Sequence, residues 1–142
     1  MRSVKNLLAN KSATIISVNG AISVLEALQL MLEANISALL IIEHGKLEGI
    51  FTERDYARKI ILQGRSSKDT QISEAMTSNL ITVSPTDTID FCMEVMTNQH
   101  IRHLPVMENN LVVGMISIGD LVRFVIDDQK RTIEQLEKYI NT

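Results

Sequence analysis

The sequence predicts an α/β (α+β) fold made of two tandem β-α-β-β-α repeats followed by a C-terminal helical extension. The main support is an ungapped internal repeat, in which Gly49–Asp55 (GIFTERD) is matched 65 positions later by Gly114–Asp120 (GMISIGD). The same offset matches further positions: Val18 with Val83, Met31 with Met96, Ile36 with Ile101, Leu39 with Leu104 and Arg58 with Arg123. In each copy the apolar periodicity also changes from strand to helix in the same order. One copy is too small to bury its own strand faces, so we expect the copies to pack through their sheets with pseudo-two-fold symmetry.

The first copy, residues 1–70, is expected to begin with a strand and a helix. Thr14–Val18 is a β-branched run of the kind found in strands. Ser23–Glu26 forms a capping box, and the apolar positions after it have helical spacing. Asn35 then suits a left-handed helix stop.

A hairpin and a second helix complete the first copy. Ala38–Ile42 and Leu47–Phe51 are predicted strands, joined by His44-Gly45 as a two-residue turn. A helix is expected over Thr52–Leu62. The polar stretch at 63–70 contains glycine and serines and is predicted to connect the copies.

The second copy, residues 71–128, repeats this order. Its predicted elements are a strand at Leu80–Val83, a helix from about Asp87 to Asn98 with Ile89, Cys92, Met93 and Met96 inward, strands at His103–Met107 and Leu111–Ser117 joined by Asn109-Asn110, and a helix from Ser117. Cys92 matches Ala27 in the repeat, so it is expected to be a small core residue rather than a reactive thiol.

The extension, residues 129–142, departs from the repeat. Ile126, Ile133 and Ile140 are seven positions apart with Leu136 between them, which predicts a helix with an apolar seam. Two interpretations stay open: the helix folds back on its own domain, or the seam is a dimer contact.

Composition narrows the class of protein. The 142 residues are 45% hydrophobic but only 4% aromatic, so the core must be aliphatic. A net charge of −3 without a basic run argues against nucleic acid, and no apolar stretch approaches the roughly 20 residues that span a membrane. The single cysteine fits a reducing compartment. We expect a cytoplasmic protein, with a processed organellar protein as the alternative.

The repeated signature combines a hydroxyl at a helix start with a carboxylate three residues later. Helix N-termini favour anions, so Thr52 and Ser117 suit a phosphate. Asp55 and Asp120 could accept hydrogen bonds from both hydroxyls of a ribose. The same spacing also fits ordinary helix caps, and each aspartate could pair with the arginine three residues further on.

The whole pattern resembles the CBS (cystathionine-β-synthase-type) domain pair, or Bateman module, from about Leu7 to Asp127. Both copies carry that family's Gly-h-h-Thr/Ser-x-x-Asp signature, and Thr52–Lys59 and Ile101–Val106 are similar to small standalone members. The resemblance implies binding of AMP, ADP, ATP, NAD or S-adenosylmethionine in clefts between the copies. It also implies a homodimer that senses energy or metabolite state and regulates another, unidentified protein.

Each implied cleft takes its phosphate and ribose contacts from one copy and its base contacts from the other. In the first cleft the assigned residues are Ser117, Asp120, Met115, Gly119, Arg102 and His103, with Ile16, Ile36, Ser37 and Ala38 against the base. In the second they are Thr52, Asp55 and Arg54, with Ile81, Ile101 and Arg102 as the wall. The first copy lacks the Arg102-His103 pair, so unequal occupancy is expected.

Three classes of function remain at this stage. A non-enzymatic nucleotide sensor leads, and a protein-docking module with vestigial clefts is the alternative. Catalysis has little support, because the sequence shows no nucleophile–base pair, no phosphate-binding Gly-rich loop and no metal-ligand spacing among its histidines. No catalytic residue and no metal site are therefore predicted.

Overall fold

A computed structural model describes residues 2–11 and 15–141 and has the mixed helix-and-sheet fold and long C-terminal helix expected from the sequence. In chain order the elements are α1 (Val4–Ala9), β1 (Ser17–Val18), α2 (Val24–Ala34), β2 (Ala38–Glu43), β3 (Lys46–Thr52), α3 (Glu53–Tyr56) with a π-helical continuation (Ala57–Ile61), α4 (Ile72–Ala75), α5 (Ile89–Gln99), β4 (His103–Glu108), β5 (Leu111–Ser117) and α6 (Ile118–Ile140). The described residues form two compact units. The copy-1 unit contains 15–81 and 109–112, and the copy-2 unit contains 2–11, 82–108 and 113–141.

The strands form one three-stranded and one two-stranded sheet. In the first, β2 lies between β1, to which it is parallel, and β3, to which it is antiparallel. The second consists of β4 and β5. The predicted strand Leu80–Val83 is wrong in extent, because only Val83 pairs, in a single parallel bridge to Val106. That bridge is the counterpart, 65 positions on, of the pairing between Val18 and Ile41 in β1 and β2. The predicted strand Thr14–Val18 is also too long, because only Ser17 and Val18 form β1 while Ile15 and Ile16 are not in a strand; Thr14 lies outside the described residues.

Helix ends and turns repeat between the copies, although the predicted capping box at Ser23–Glu26 is only half formed, since the Glu26 carboxylate accepts from the Ser23 hydroxyl and not from its backbone N–H. The side chains of Ser23 and Thr88 cap α2 and α5 by accepting a backbone N–H three residues on. Asn35 ends α2 with φ of 54°, and His100 ends α5 with φ of 55°. The hairpin turns also have left-handed φ angles, at His44-Gly45 and at Asn109-Asn110. The two-residue turns are therefore confirmed.

The short helix at the start of each copy belongs to the unit of the other copy. α1 lies in the copy-2 unit, where Ser3 forms an isolated bridge with Thr88. α4 lies in the copy-1 unit, where Gln71 forms the matching bridge with Ser23. These leading helices correspond at an offset of 68 instead of 65, because the link from helix to strand is three residues longer in the first copy.

Each unit has its own aliphatic core, and the two cores correspond position by position. The shared positions are Val24 and Ile89, Ala27 and Cys92, Met31 and Met96, Leu39 and Leu104, Ile41 and Val106, Phe51 and Ile116, and, from the leading helices, Ile72 and Val4. Cys92 is fully buried, as predicted. Because burying each such side chain contributes about 1.5–3 kcal/mol, these clusters dominate the stability of their units.

The C-terminal seam does not fold back on the described chain. Leu121 is the last buried residue of α6, and every described residue from 129 onward is exposed. Ile133, Leu136 and Ile140 have exposed fractions of 55%, 56% and 77%. Within residues 2–11 and 15–141 no helix combines the length and the apolar character needed to cross a bilayer.

Candidate functional site

In the copy-2 unit, Ser117 and Asp120 form a reciprocal cap at the start of α6. The Ser117 hydroxyl accepts the backbone N–H of Asp120 at 3.1 Å. In return, the backbone N–H of Ser117 donates to Oδ2 of Asp120 at 2.9 Å. The capping interpretation of the signature is therefore correct in its geometry, and it fixes the carboxylate beside the helix N-terminus.

The equivalent pair in the copy-1 unit has the same cap. Both the backbone N–H and the hydroxyl of Thr52 donate to Oδ2 of Asp55, at 2.9 and 3.1 Å. Oδ1 of Asp55 accepts from the Thr77 hydroxyl at 2.7 Å and lies 3.3 Å from Nζ of Lys59. Both carboxylate oxygens of Asp55 therefore have partners, and only 7% of the residue is exposed. Asp55 is a buried residue that links the start of α3 to Thr77 and Lys59.

Asp120 is held by two cations. Nζ of Lys11, which follows α1, lies 2.6 Å from Oδ2 and also donates to the carbonyl oxygen of Met115. Arg123 donates to Oδ1 at 2.7 Å, which confirms the ion pair expected from the spacing. Burial raises the pKa of Asp120, but hydrogen bonds from Lys11 and from the Ser117 backbone outweigh it and hold the pKa below its usual value. The expected pairing of Asp55 with Arg58 is replaced by the pair with Lys59.

The other residues predicted for the copy-2 side lie around the same helix start. The carbonyl oxygen of Arg102 accepts the backbone N–H of Ile118 at 2.9 Å, while its side chain is exposed. His103 begins β4 and is half-buried, as is Met115 in β5. A methyl group at Gly119 would meet no atom nearer than 3.6 Å, so the protein itself leaves room there.

The residues predicted to contact the base, together with Arg54 and the wall residue Ile81, lie in the copy-1 unit. Ala38 is buried at the start of β2, and Ile16 and Ile36 are half-buried. Ser37 and Arg54 are exposed, and Ile81 is 37% exposed. The other two wall residues, half-buried Ile101 and exposed Arg102, lie in the copy-2 unit. Each predicted cleft thus draws on both units, and the pairing of phosphate residues with base residues stays a prediction.

A cavity of about 340 Å³ lies beside Asp120, within the copy-2 unit. Three cations line it, Lys11, Arg123 and Arg131, together with the ring of Phe124. Two further carboxylates of α6 also reach it, so the lining carries both signs of charge. Its size is in the range of small-molecule sites.

Sequence reasoning missed Lys11, Lys59 and Thr77. Lys59 had a local signal, because it stands four residues after Asp55 on one helix face. Lys11 had none, because it is 109 positions away from Asp120. Among residues 2–11 and 15–141, no group of three or more His, Cys, Asp or Glu side chains is placed to hold a metal ion.

Comparison with known proteins places these features in a family. The family model for the CBS domain matches the chain twice, at residues 4–62 and 72–127. The chain belongs to the CBS domain family. CBS domain pairs are generally regulatory modules rather than catalysts, and this chain is such a pair.

Several proteins with CBS domains are closely similar to this CBS pair. It is 43% identical over 123 residues to CBS domain-containing protein CBSX3, mitochondrial, from Arabidopsis thaliana, and spans 60% of that protein's length. A structure of a protein with CBS domains from Burkholderia ambifaria MC40-6 is 45% identical, covers 89% of this chain and 96% of its own, and has a TM-score of 0.86.

A third similar structure contains adenosine compounds. It is the CBS domain pair of protein MJ0100 in complex with 5′-methylthioadenosine and S-adenosyl-L-methionine. It is 31% identical to this CBS pair, covers 90% of this chain and 98% of its own, and has a TM-score of 0.79.

Proposed function

We propose that the chain is a non-catalytic regulatory module that binds an adenosine-containing ligand at the N-terminus of α6. The candidates are AMP, ADP, ATP, NAD and S-adenosylmethionine. The observation that carries this proposal is the placement of Asp120. Its side chain is 10% exposed and borders a cavity that is also lined by Lys11 and Arg123.

The chemistry of this site suits a ribose phosphate. The Asp120 carboxylate is an acceptor for two sugar hydroxyls, which are among the stronger hydrogen bonds because the acceptor is charged. The positive end of the α6 macrodipole and the neighbouring cations attract a phosphate. Gly119 leaves the backbone open to close approach. The complex of the related MJ0100 pair with two adenosine compounds supports the same ligand class.

We further propose that the copy-2 signature is the main site. Asp55 already satisfies both carboxylate oxygens with neutral donors and Lys59, so a ribose would have to break a buried network there. Asp120 is bonded by Ser117 and by two cations on flexible side chains, and those cations can move to a phosphate. Filling of the copy-1 site is therefore expected to need higher ligand concentration.

Calorimetric titration with AMP, ATP and S-adenosylmethionine tests the proposal. Asp120→Ala should weaken binding roughly 10–100-fold, as expected for loss of about 1.5–3 kcal/mol. Asp90→Ala is the matched control, because Asp90 also lies in the first turn of a helix but outside the signature and 83% exposed. Equal affinities of the two variants would reject Asp120 as a ligand residue.

Gly119→Ala separates loss of binding from loss of folding. A methyl group fits the protein at this position, and alanine favours the helix by up to about 1 kcal/mol. The variant should therefore keep its thermal stability while it loses ligand affinity.

The second candidate function is a protein-docking module with vestigial nucleotide sites. Two observations favour it: both signature carboxylates already have lysine partners, and the apolar seam of α6 is exposed. Under this alternative, millimolar AMP, ATP and S-adenosylmethionine would leave the melting temperature unchanged. For either function we propose that the chain acts as a homodimer on a separate, unidentified protein.

A further inference from the structure

The C-terminal half of α6 leaves its apolar side chains exposed among the described residues. From residue 129 to Asn141 every side chain is exposed. This segment continues a helix whose start is capped and packed, but propagation in water adds little free energy, since most helical stability comes from packing of an apolar face. A binding partner for the apolar face would supply the missing stabilisation.

The apolar face has the spacing of a coiled-coil seam. Ile126, Ile133 and Ile140 form one row, and Val122 and Leu136 belong to a second row that is completed by Gln129. Apart from Gln129, each of these side chains is exposed by 45% or more. Lys130 and Glu137 are equivalent flanking positions, next to the second row and seven residues apart.

Charge selects the partner and its direction. In an antiparallel pair of identical helices, these flanking positions face each other across the seam. With Ile133 opposite Leu136 of a second copy, Lys130 of each chain faces Glu137 of the other, so two opposite-charge pairs form. A shift of one heptad in either direction sets Lys130 against Lys130, or Glu137 against Glu137. A parallel pair sets the two charged positions against Val125 and Thr132.

We propose that residues 129–140 of α6 pair antiparallel with the same segment of a second copy, with Ile133 against Leu136 and Lys130 against Glu137. This pairing assigns a surface to the homodimer that we proposed above. The pairing itself does not depend on nucleotide binding. The contact is isologous, so it closes as a dimer and does not propagate into a filament.

Charge exchange tests the register. Sedimentation equilibrium should show the dimer of Lys130→Glu weakened by about 10-fold or more, because two like-charge contacts replace two favourable ones. Adding Glu137→Lys should restore most of the affinity. Lys138→Glu is the matched control: it makes the same charge change and stands four residues from the same Glu134, but it faces away from the seam. Equal dimer constants for Lys130→Glu and Lys138→Glu, or no recovery in the double variant, would overturn the register.

Disulfide crosslinking reports the seam contact directly, even if the chain also dimerises through another surface. Antiparallel pairing predicts that a mixture of Ile133→Cys and Leu136→Cys proteins crosslinks faster than either protein alone. Parallel pairing predicts the opposite, and rates no higher than those of Glu134→Cys would show that the seams do not meet. Cys92 does not compete, because it is buried.

These experiments distinguish a failure of the proposed dimer contact from a failure of the proposed ligand site. The tail variants should keep the nucleotide affinity of the wild type, and Asp120→Ala should keep its dimer constant. Loss of dimerisation in the tail variants therefore bears on the seam alone.

Discussion

Lys11 holds Asp120 through a contact of 2.6 Å between Nζ and Oδ2, joining the start of the first copy to the signature of the second. The same ammonium also contacts the carbonyl oxygen of Met115. A ribose at Asp120 must therefore displace a cation, and that cation is then free to meet a phosphate. Lys11 thus couples the sugar and phosphate parts of the proposed ligand.

Lys11→Met should change ligand preference rather than abolish binding. Without the ammonium, a ribose hydroxyl can reach Oδ2 without displacing a charge, so neutral adenosine should bind more tightly. ATP loses a phosphate partner, so its affinity should fall. We expect the ratio of ATP affinity to adenosine affinity to drop about 10-fold, equivalent to about 1.4 kcal/mol, in calorimetric titrations.

The control for this experiment is Lys5→Met, which removes an exposed lysine from α1. It should leave both affinities near those of the wild type. An equal loss of adenosine and ATP affinity in Lys11→Met would mean that Lys11 acts only through the fold.

The lowered pKa of Asp120 predicts a pH-dependent contribution to stability. Burial alone would raise this pKa, but the hydrogen bonds from Lys11 and Ser117 more than offset it. A carboxyl with a depressed folded pKa stabilises the protein above its unfolded pKa, near 3.9, and this stabilisation is lost as pH falls through the folded pKa. In urea unfolding, the free energy of unfolding of the wild type should exceed that of Asp120→Asn most at pH 5–7. This difference should shrink below about pH 4. A constant difference from pH 3 to 7 would contradict this assignment.

The sequence predicted best those structural features that depend on residues close together in the chain. The caps at Ser117 and Thr52, the left-handed stop at Asn35 and the glycine- and asparagine-containing turns follow from residues within four positions of each other. The 65-residue repeat then transferred each inference from one copy to the other. This is why the β-α-β-β-α order of each copy could be predicted, whereas the short helices α1 and α4 were not.

What the sequence did not reveal depends on long-range packing. The leading helices belong to the units of the opposite copies, and their three-residue change of offset hid their correspondence. The contact between Lys11 and Asp120 follows from that exchange and had no local signal. The predicted strand Leu80–Val83 shrank to one bridge, since β-branched residues favour a strand without fixing how much of it finds a neighbour.

Cys92 should resist thiol reagents until the protein unfolds. Burial, with a smaller contribution from Asp87, raises the pKa of its thiol to about 11, so little thiolate is present at pH 8. Labelling with a chromogenic disulfide at pH 8 should be at least about 100-fold slower in the native protein than in urea. Ser78→Cys, at an exposed position, is the positive control. Equal labelling rates at Cys92 and at position 78 would show that the core around α5 opens readily.

The signature glycines should differ in their tolerance of alanine. A methyl group at Gly49 would lie 2.5 Å from Sδ and 2.9 Å from Cγ of Met76, and 3.0 Å from the backbone oxygen of Thr77, which cannot move without the chain. At Gly114 the three atoms nearest to the methyl group would all belong to the Leu8 side chain, with Cδ2 at 2.9 Å. Gly49→Ala should therefore lower the free energy of unfolding by about 1–3 kcal/mol, and Gly114→Ala by less. Denaturant unfolding of double variants checks the cause: Leu8→Ala should remove the cost of Gly114→Ala, whereas Met76→Ala should remove only part of the cost of Gly49→Ala. Full recovery in both pairs would show that the backbone at Thr77 yields as easily as a side chain.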